Sequence, residues 1–535
     1  MASNGGSTPL AVAPSIAMKT VVVLGAAYGG ARAAQLIAAD LPDGWRIVVI
    51  DRNSHVNHVY ILPRLAVLAG HEHKAFIPYD NIFNLPHKPD PTKHIFIQAH
   101  IQSLSANSVT LSRAFPEHGI PTDVLHFDYA VYALGSHLPP PLNLWHAVPD
   151  DKPSAGHAYN GNKAESIAWL KRKQAVIEAA ASVLVVGGGA LGIQFATDIA
   201  AVYPAKSVTL LHSRARLLPR FDSAMHTEIL QALESMNVNV ILGERLDLAS
   251  ATPGHRTVRT TSGRSIAADL VLLCTGQHPN TQLLQALDVR TVDGTTGLAQ
   301  VLRSMQLGVI ASPPTSVDTP PAFTSTSTSA PAPAPAVEAD TAEGGEGGED
   351  ALAAALAQIA LLDADADASA PASPSLSCFD SSSSGYLSDS SASDADATSD
   401  AGEEQTQQNE EEQEDTETTP YPHIFVVGDA ADAFGAIPAG HNAYWQAGVA
   451  ARNVLALIAA GESSRAEDED VELERYTPGP PAIKVSLGLK KNVYQVNGEV
   501  GLGAETRDDL NAASIWGYFG CPIGEGEGEE AGMWR

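Results

Sequence analysis

Cysteine is scarce in this chain: its 535 residues hold three, Cys274, Cys378 and Cys521, far apart and with no CxxC or CxxxxC pair. Such spacing excludes a disulfide framework and a thiol-disulfide reaction centre, and it suits a reducing compartment. Lys and Arg are missing from residues 311 to 419, which carry 23 Asp or Glu, so most of the formal charge of −30 sits in one stretch. An acidic chain repels phosphate backbones, which argues against nucleic acid as the main partner. Basic residues are also missing before Lys19, and the apolar run from Leu10 to Met18 is broken by Pro14, so neither a signal peptide nor an Arg-rich transit peptide is expected. Residue 2 is alanine, which removes N-myristoylation, and no apolar run approaches the ~18 residues of a membrane-crossing helix. The expectation is a cytoplasmic chain that touches a membrane at most peripherally. Its eighteen histidines include no HxxxH or HExxH, so no metal site is expected.

What is present is a repeated pattern. Thr20-Val-Val-Val-Leu24 reads as a strand, residues 25 to 30 as a glycine turn, the Ala-rich stretch to about Ala39 as a helix, and Arg46-Ile-Val-Val-Ile-Asp51 as a second strand. The same order recurs at Ser182–Val186, Gly187–Gly192, a helix to about Val202, and Ser207–His212. In the first copy Gly25-x-Ala27-x-x-Gly30 is the dinucleotide fingerprint with alanine at the second glycine, and Tyr28 and Gly29 lie inside it. Gly25 permits the tight turn, a small residue at 27 admits a pyrophosphate, Gly30 lets helix and strand pack closely, and the helix N-terminus offers free N–H groups. Asp51, 21 residues past Gly30 and followed by Arg52, ends the second strand where a carboxylate can accept ribose hydroxyls.

The second copy, Gly187-x-Gly189-x-x-Gly192, is a full match, but His212 stands at its acid position. A 2′-phosphate is not repelled there, and Arg214 and Arg216 can meet it bidentately or simply solvate the loop. The expected nucleotide is therefore NADH or NADPH. A third signal, Ile424-Phe-Val-Val-Gly428-Asp429, ends a strand in Gly-Asp, which places a carboxylate beside a ribityl chain. Two further strand ends, Tyr129 to Gly135 and Asp269 to Gly276, read as crossings between two nucleotide-binding domains.

This order of motifs resembles the two-dinucleotide-binding-domain flavoproteins. The closing segment, Ala482 to Gly488 with Val493 to Gly498, is similar to the apoptosis-inducing-factor-like, ferroptosis-suppressor-type NAD(P)H:quinone oxidoreductases. The resemblance covers about residues 19 to 310 and 420 to 520. It implies FAD as cofactor, NADH or NADPH as hydride donor, and a quinone such as ubiquinone as acceptor. On the helix expected from about Asn442 to Ala460, Ala443-x-x-Gln446 resembles the quinone side of single-subunit NADH dehydrogenases, which puts Gln446 at the flavin edge. Two other readings stand beside this one: a reductase of a protein electron carrier, and a redox-sensing flavoprotein module whose acidic insertion binds proteins.

The expected fold is α/β: two Rossmann-like domains of three-layer ββα build, a small C-terminal β-rich segment and a long disordered acidic insertion. The divisions are a tail (1–17), a first FAD-binding segment (18–142), an NAD(P)H-binding domain (143–279) and a short return to the FAD domain (280–310). There follow the insertion (311–419), with a short helix at 351–362, the closing segment of the FAD domain (420–461), an acidic linker (462–475), the C-terminal segment (476–521) and an acidic tail (522–535). Residues 300–306 read as a strand before the insertion. Trp516, Tyr518 and Phe519 are expected to pack against the body, and Cys274 to be a small core residue.

Overall fold

Runs of Val, Ile and Leu with no polar alternation belong in parallel strands covered on both faces, and two such sheets form the body. The computed structural model describes residues 18–137, 160–251, 256–310, 419–462, 471–524 and 532–534. The sequence readings at 1–17, 138–159, 311–418, 463–470 and 525–531 lie outside them.

The first sheet has six strands in the order Gln306–Leu307, Tyr421–Val426, Tyr129–Tyr132, Lys19–Leu24, Trp45–Asp51 and His94–Gln98. All neighbours run parallel except the first pair. Its central strand Lys19–Leu24 is buried from Thr20 onward. Helix Tyr28–Asp40 lies along the long helix Gly440–Glu462, and they approach closely because Gly29 is small: a Cβ there would stand 3.3 Å from the Ala443 carbonyl oxygen. A three-stranded meander, Ile101–Ser105, Ser108–Leu111 and Val124–His126, shares the core through Leu104, Val109, Leu111 and Leu125.

The second sheet has four parallel strands in the order Asn239–Leu242, Ser207–His212, Ser182–Val186 and Leu270–Leu273. An antiparallel meander of Ile483–Leu487, Lys491–Val496 and Glu499–Ala504 packs on this half, with Val485, Leu487 and Val493 in the same core as Ile193, Ala196 and Leu233. Arg64 ties it down. Its Nε donates to Asp198 Oδ1 at 2.9 Å and its Nη2 to the Gly488 carbonyl at 2.6 Å, with both side chains fully buried. Burial pushes the Asp198 carboxyl up to about 6 although Arg64 opposes the shift.

Residues 300–306 differ from the expected strand. Gln306 and Leu307 form the strand that enters the sheet, and Val301 makes only an isolated bridge back to Leu307, because Leu302 N–H returns to the Gln306 carbonyl and Met305 takes φ +66°, turning the chain on itself. That turn brings Leu307 opposite Tyr421, so the two chain ends flanking residues 311–418 meet. Trp516 and Phe519 are fully buried, and Tyr518 donates its hydroxyl to the Tyr28 carbonyl at 3.0 Å. Cys274 is buried, and withdrawal from water pushes its thiol far above the ordinary value. Among the described residues no helix is long and apolar enough to cross a membrane.

Candidate flavin and nicotinamide nucleotide sites

In a parallel sheet, ligands gather beyond the carboxyl ends of the strands. Four adjacent strands of the first sheet end, in spatial order, at Asp51, the Gly25 turn, Ala133 to Gly135, and Gly428-Asp429. Together they wall a cavity of about 420 Å³, within the usual range for small-molecule sites. Gly25, Ala27, Tyr28, Gly29, Asp51, Arg52, Gly135, Gly428 and Asp429 all line it.

The glycines are there for closeness of backbone. Gly25 has φ +94°, and a Cβ on it would stand 2.4 Å from the Ala133 carbonyl oxygen; one on Gly30 would stand 1.9 Å from the Gly25 carbonyl oxygen. Gly30 is thus the packing glycine beneath the turn. Helix Tyr28–Asp40 begins with no side-chain cap and no acid in its first turn, which leaves its N-terminal N–H groups and positive dipole end to an anion. Asp51 Oδ2 accepts the Ala26 amide at 3.0 Å and Oδ1 the Asn53 amide at 2.8 Å. Asp429 Oδ2 accepts Ser136 Oγ and Gln277 Nε2, each at 2.8 Å. Desolvation pushes both carboxyls above the ordinary aspartate range, against the pull of those donated bonds. A cradle too tight for a Cβ, uncapped helical N–H groups and one carboxylate on either side fit a dinucleotide pyrophosphate with a sugar hydroxyl system at each end.

At the lip of the cavity the Tyr60 hydroxyl meets the Gly440 amide at the start of the long helix, and the Tyr28 hydroxyl meets His58 Nδ1 at 2.9 Å. Gln446 does not line this cavity. Its Oε1 accepts the Gly428 amide at 2.7 Å, and it lines a smaller cavity of about 150 Å³ that shares Gly428 and Asp429 with the larger one.

The second unit repeats the first bond for bond. Gly187 donates to the Leu211 carbonyl at 2.8 Å as Gly25 does to Ile50, and Cys274 donates to Val186 as Ala133 does to Leu24. Gly187 has φ +127°, and a Cβ on it would stand 2.0 Å from the Cys274 carbonyl oxygen; one on Gly192 would stand 1.9 Å from the Gly187 carbonyl oxygen. Gly189 caps helix Ala190–Val202, again without a side-chain cap or an acid in the first turn. His212 Nδ1 accepts the Gly188 amide at 3.0 Å. Burial, helped by the Arg214 cation and opposed by a backbone hydrogen bond at Arg216, pushes the imidazole pKa below its ordinary value, which favours the neutral ring. Arg214 is exposed, while Arg216 Nη2 donates to the Pro219 and Phe221 carbonyls at 3.0 and 3.2 Å. Gly276, at φ +119°, ends the crossing beside this turn. Sequence reasoning did not mark Ser136, Tyr60, Gln277 or Asn280 as lining the first cavity. Ser136 and Gln277 follow Gly135 and Gly276 directly, a signal that was present; Tyr60 and Asn280 carry none.

Two glycine turns on two parallel sheets, the first completed by a Gly-Asp strand end, define a flavoprotein that takes hydride from a nicotinamide nucleotide. The chain belongs to the pyridine nucleotide-disulphide oxidoreductase family, whose profile matches residues 19–306. It is an oxidoreductase that uses FAD and NAD(P)H. It is 34% identical to Fe-regulated protein 8 of Mycosarcoma maydis over 93% of this chain and 94% of that protein. It is 28% identical to ferroptosis suppressor protein 1 of Taeniopygia guttata over 50% of this chain and 65% of that protein. The fold is also that of reduced Bacillus anthracis CoADR-RHD, at TM-score 0.50 and 14% identity, covering 90% of this chain and 61% of that one. Despite the family's name, no pair of cysteines stands close in this sequence.

Proposed function

We propose that this enzyme passes electrons from NAD(P)H through FAD to a quinone, with no thiol relay. The observation that carries the reading is the placement of sulfur among the described residues: Cys274 and Cys521 are both buried in packed cores and neither lines the cavity, while Cys378 lies outside the described residues. Reducing equivalents then leave the cofactor directly for a small diffusible acceptor. The resemblance to ferroptosis-suppressor-type proteins supports a quinone in that role.

Bound FAD supplies a two-electron relay between hydride donor and acceptor. The chain's own role is orientation. Asp51 would accept ribose hydroxyls, the uncapped N-terminus of Tyr28–Asp40 would hold phosphate, and Asp429 would accept a ribityl hydroxyl. The N-terminus of Gly440–Glu462 lines the cavity, where its positive dipole end would favour negative charge on a bound cofactor. Gln446 holds the Gly428 turn from behind. At the second unit the neutral His212 and exposed Arg214 admit NADPH as well as NADH.

The test is anaerobic stopped-flow reduction by NADH and by NADPH, followed by reoxidation with short-chain ubiquinones, a ferredoxin-like carrier and oxygen. Fast reoxidation by ubiquinone supports the proposal. Reoxidation by the protein carrier alone, or by none of them, overturns it.

A further inference from the structure

Gln277 belongs to neither glycine turn, yet its side chain reaches the carboxylate that closes the flavin cavity. Its Nε2 donates to Asp429 Oδ2 at 2.8 Å, the same oxygen that accepts Ser136 Oγ. Ser136 follows the chain's first passage out of the six-stranded sheet, and Gln277 its passage back from the four-stranded one. These two passages are fastened together: Ser136 pairs with Pro279 and His137 with His278 in an antiparallel ribbon. Asn280 Nδ2 donates to the Leu134 carbonyl at 2.8 Å, and His137 Nδ1 meets Asn280 Oδ1 at 2.7 Å. The junction between the two halves is therefore one knot, and Ser136 and Gln277 pin it to Asp429.

Gln277 is itself exposed. A neutral amide bond at an exposed position adds little to folding, whereas one donated to a carboxylate withdrawn from water is stronger and more directional. We propose that Gln277 is a positioning residue for hydride transfer: its amide holds the second nucleotide unit at a set distance from the flavin-site carboxylate, which aligns nicotinamide with flavin. Transfer requires reacting atoms ~3 to 3.5 Å apart, and a displacement of ~1 Å can cost about a hundredfold in rate. Loss of this pin therefore slows reduction of the flavin more than it weakens either nucleotide.

The experiment uses the full-length FAD-loaded protein, anaerobic stopped-flow reduction by NADH, and the variants Gln277→Ala and Gln277→Glu. No acceptor is present, so the outcome is independent of the quinone reading. For Gln277→Ala the limiting reduction rate should fall tenfold or more, while the NADH dissociation constant and the FAD dissociation constant, the latter measured by fluorescence quenching on apoprotein, each change less than threefold. Gln277→Glu sets a second carboxylate against Asp429. It should be as slow as Gln277→Ala at pH 8 and recover at low pH, where a shared proton restores a donor. His137 and His278, which pair in the same ribbon, are present in all three proteins. Reduction of Gln277→Ala at the unaltered rate overturns the proposal. So does a rate loss matched by equal losses of FAD affinity and melting temperature, which marks a purely structural role. If Gln277→Ala does not fold, a Gln277→Glu profile parallel to that of the unaltered protein overturns it too.

Discussion

His212 Nδ1 accepts the Gly188 amide at 3.0 Å, the bond that Asp51 Oδ2 makes with Ala26 in the first unit. A neutral imidazole thus does the structural work of a carboxylate at the end of the second strand, keeping the glycine turn in place while leaving that position without negative charge. The two units share a backbone design and differ in the electrostatics they offer a ribose.

Replacing His212 by Glu should keep the bond to Gly188, since a carboxylate also accepts, and should turn preference toward NADH. The expected shift is about 1 to 3 kcal/mol, or roughly five- to 150-fold in the ratio of kcat/KM values, through repulsion of a 2′-phosphate. Steady-state kinetics with both nucleotides measure it. An unaltered ratio would place the second ribose away from residue 212.

His55 and His58 are buried, and desolvation is the main cause that pushes each down to about 3. His55 bonds Ser166 Oγ and His58 the Tyr28 hydroxyl. Because the folded values lie below the ~6.5 of an unfolded histidine, the unfolded chain takes up protons first as pH falls. The stabilisation is complete above pH ~6.5 and is lost from there toward 3, at about 2 kcal/mol per histidine by pH 5. Urea midpoints at pH 7.5 and 5 should show the loss, and His58→Gln should reduce it. Equal midpoints would contradict the assignment.

Arg64→Leu leaves Asp198 buried and unpaired and frees the Gly488 carbonyl, so it should cost about 3 to 5 kcal/mol. The double variant Arg64→Leu, Asp198→Leu should recover some of that loss, because removing both charges also removes their desolvation cost. Chemical denaturation of the two proteins decides the matter. A single variant as stable as the parent would show that the ion pair adds nothing.

Joining the chain across residues 315–417 with a short Gly/Ser linker should leave FAD content and NAD(P)H oxidation close to those of the full chain. The antiparallel pairing of Leu307 with Tyr421 brings the ends together, and Thr419 Oγ1 bonds the Leu307 carbonyl. Loop-closure entropy grows only with the logarithm of length, so stability should change by about 1 to 2 kcal/mol. Flavin absorbance and a melting curve test this. Loss of flavin would make the segment integral to the fold.

The sequence by itself determined both glycine turns, the strands that carry them, the Gly428-Asp429 strand end and the expectation that sulfur takes no role. Those features are local, since a tight turn, an uncapped helix start and an unbroken apolar strand need only neighbouring residues to specify them. Tertiary structure alone decided that the chain leaving the 300–306 turn pairs Leu307 with Tyr421, because those two residues come from either side of a stretch of more than a hundred residues. It also decided that Gln446 supports the Gly428 turn and that Gln277 reaches Asp429 across 152 positions of chain. A side chain's partner is set by which strands lie side by side, and hydrogen bonds a few ångströms long between distant residues leave no period or spacing in a sequence.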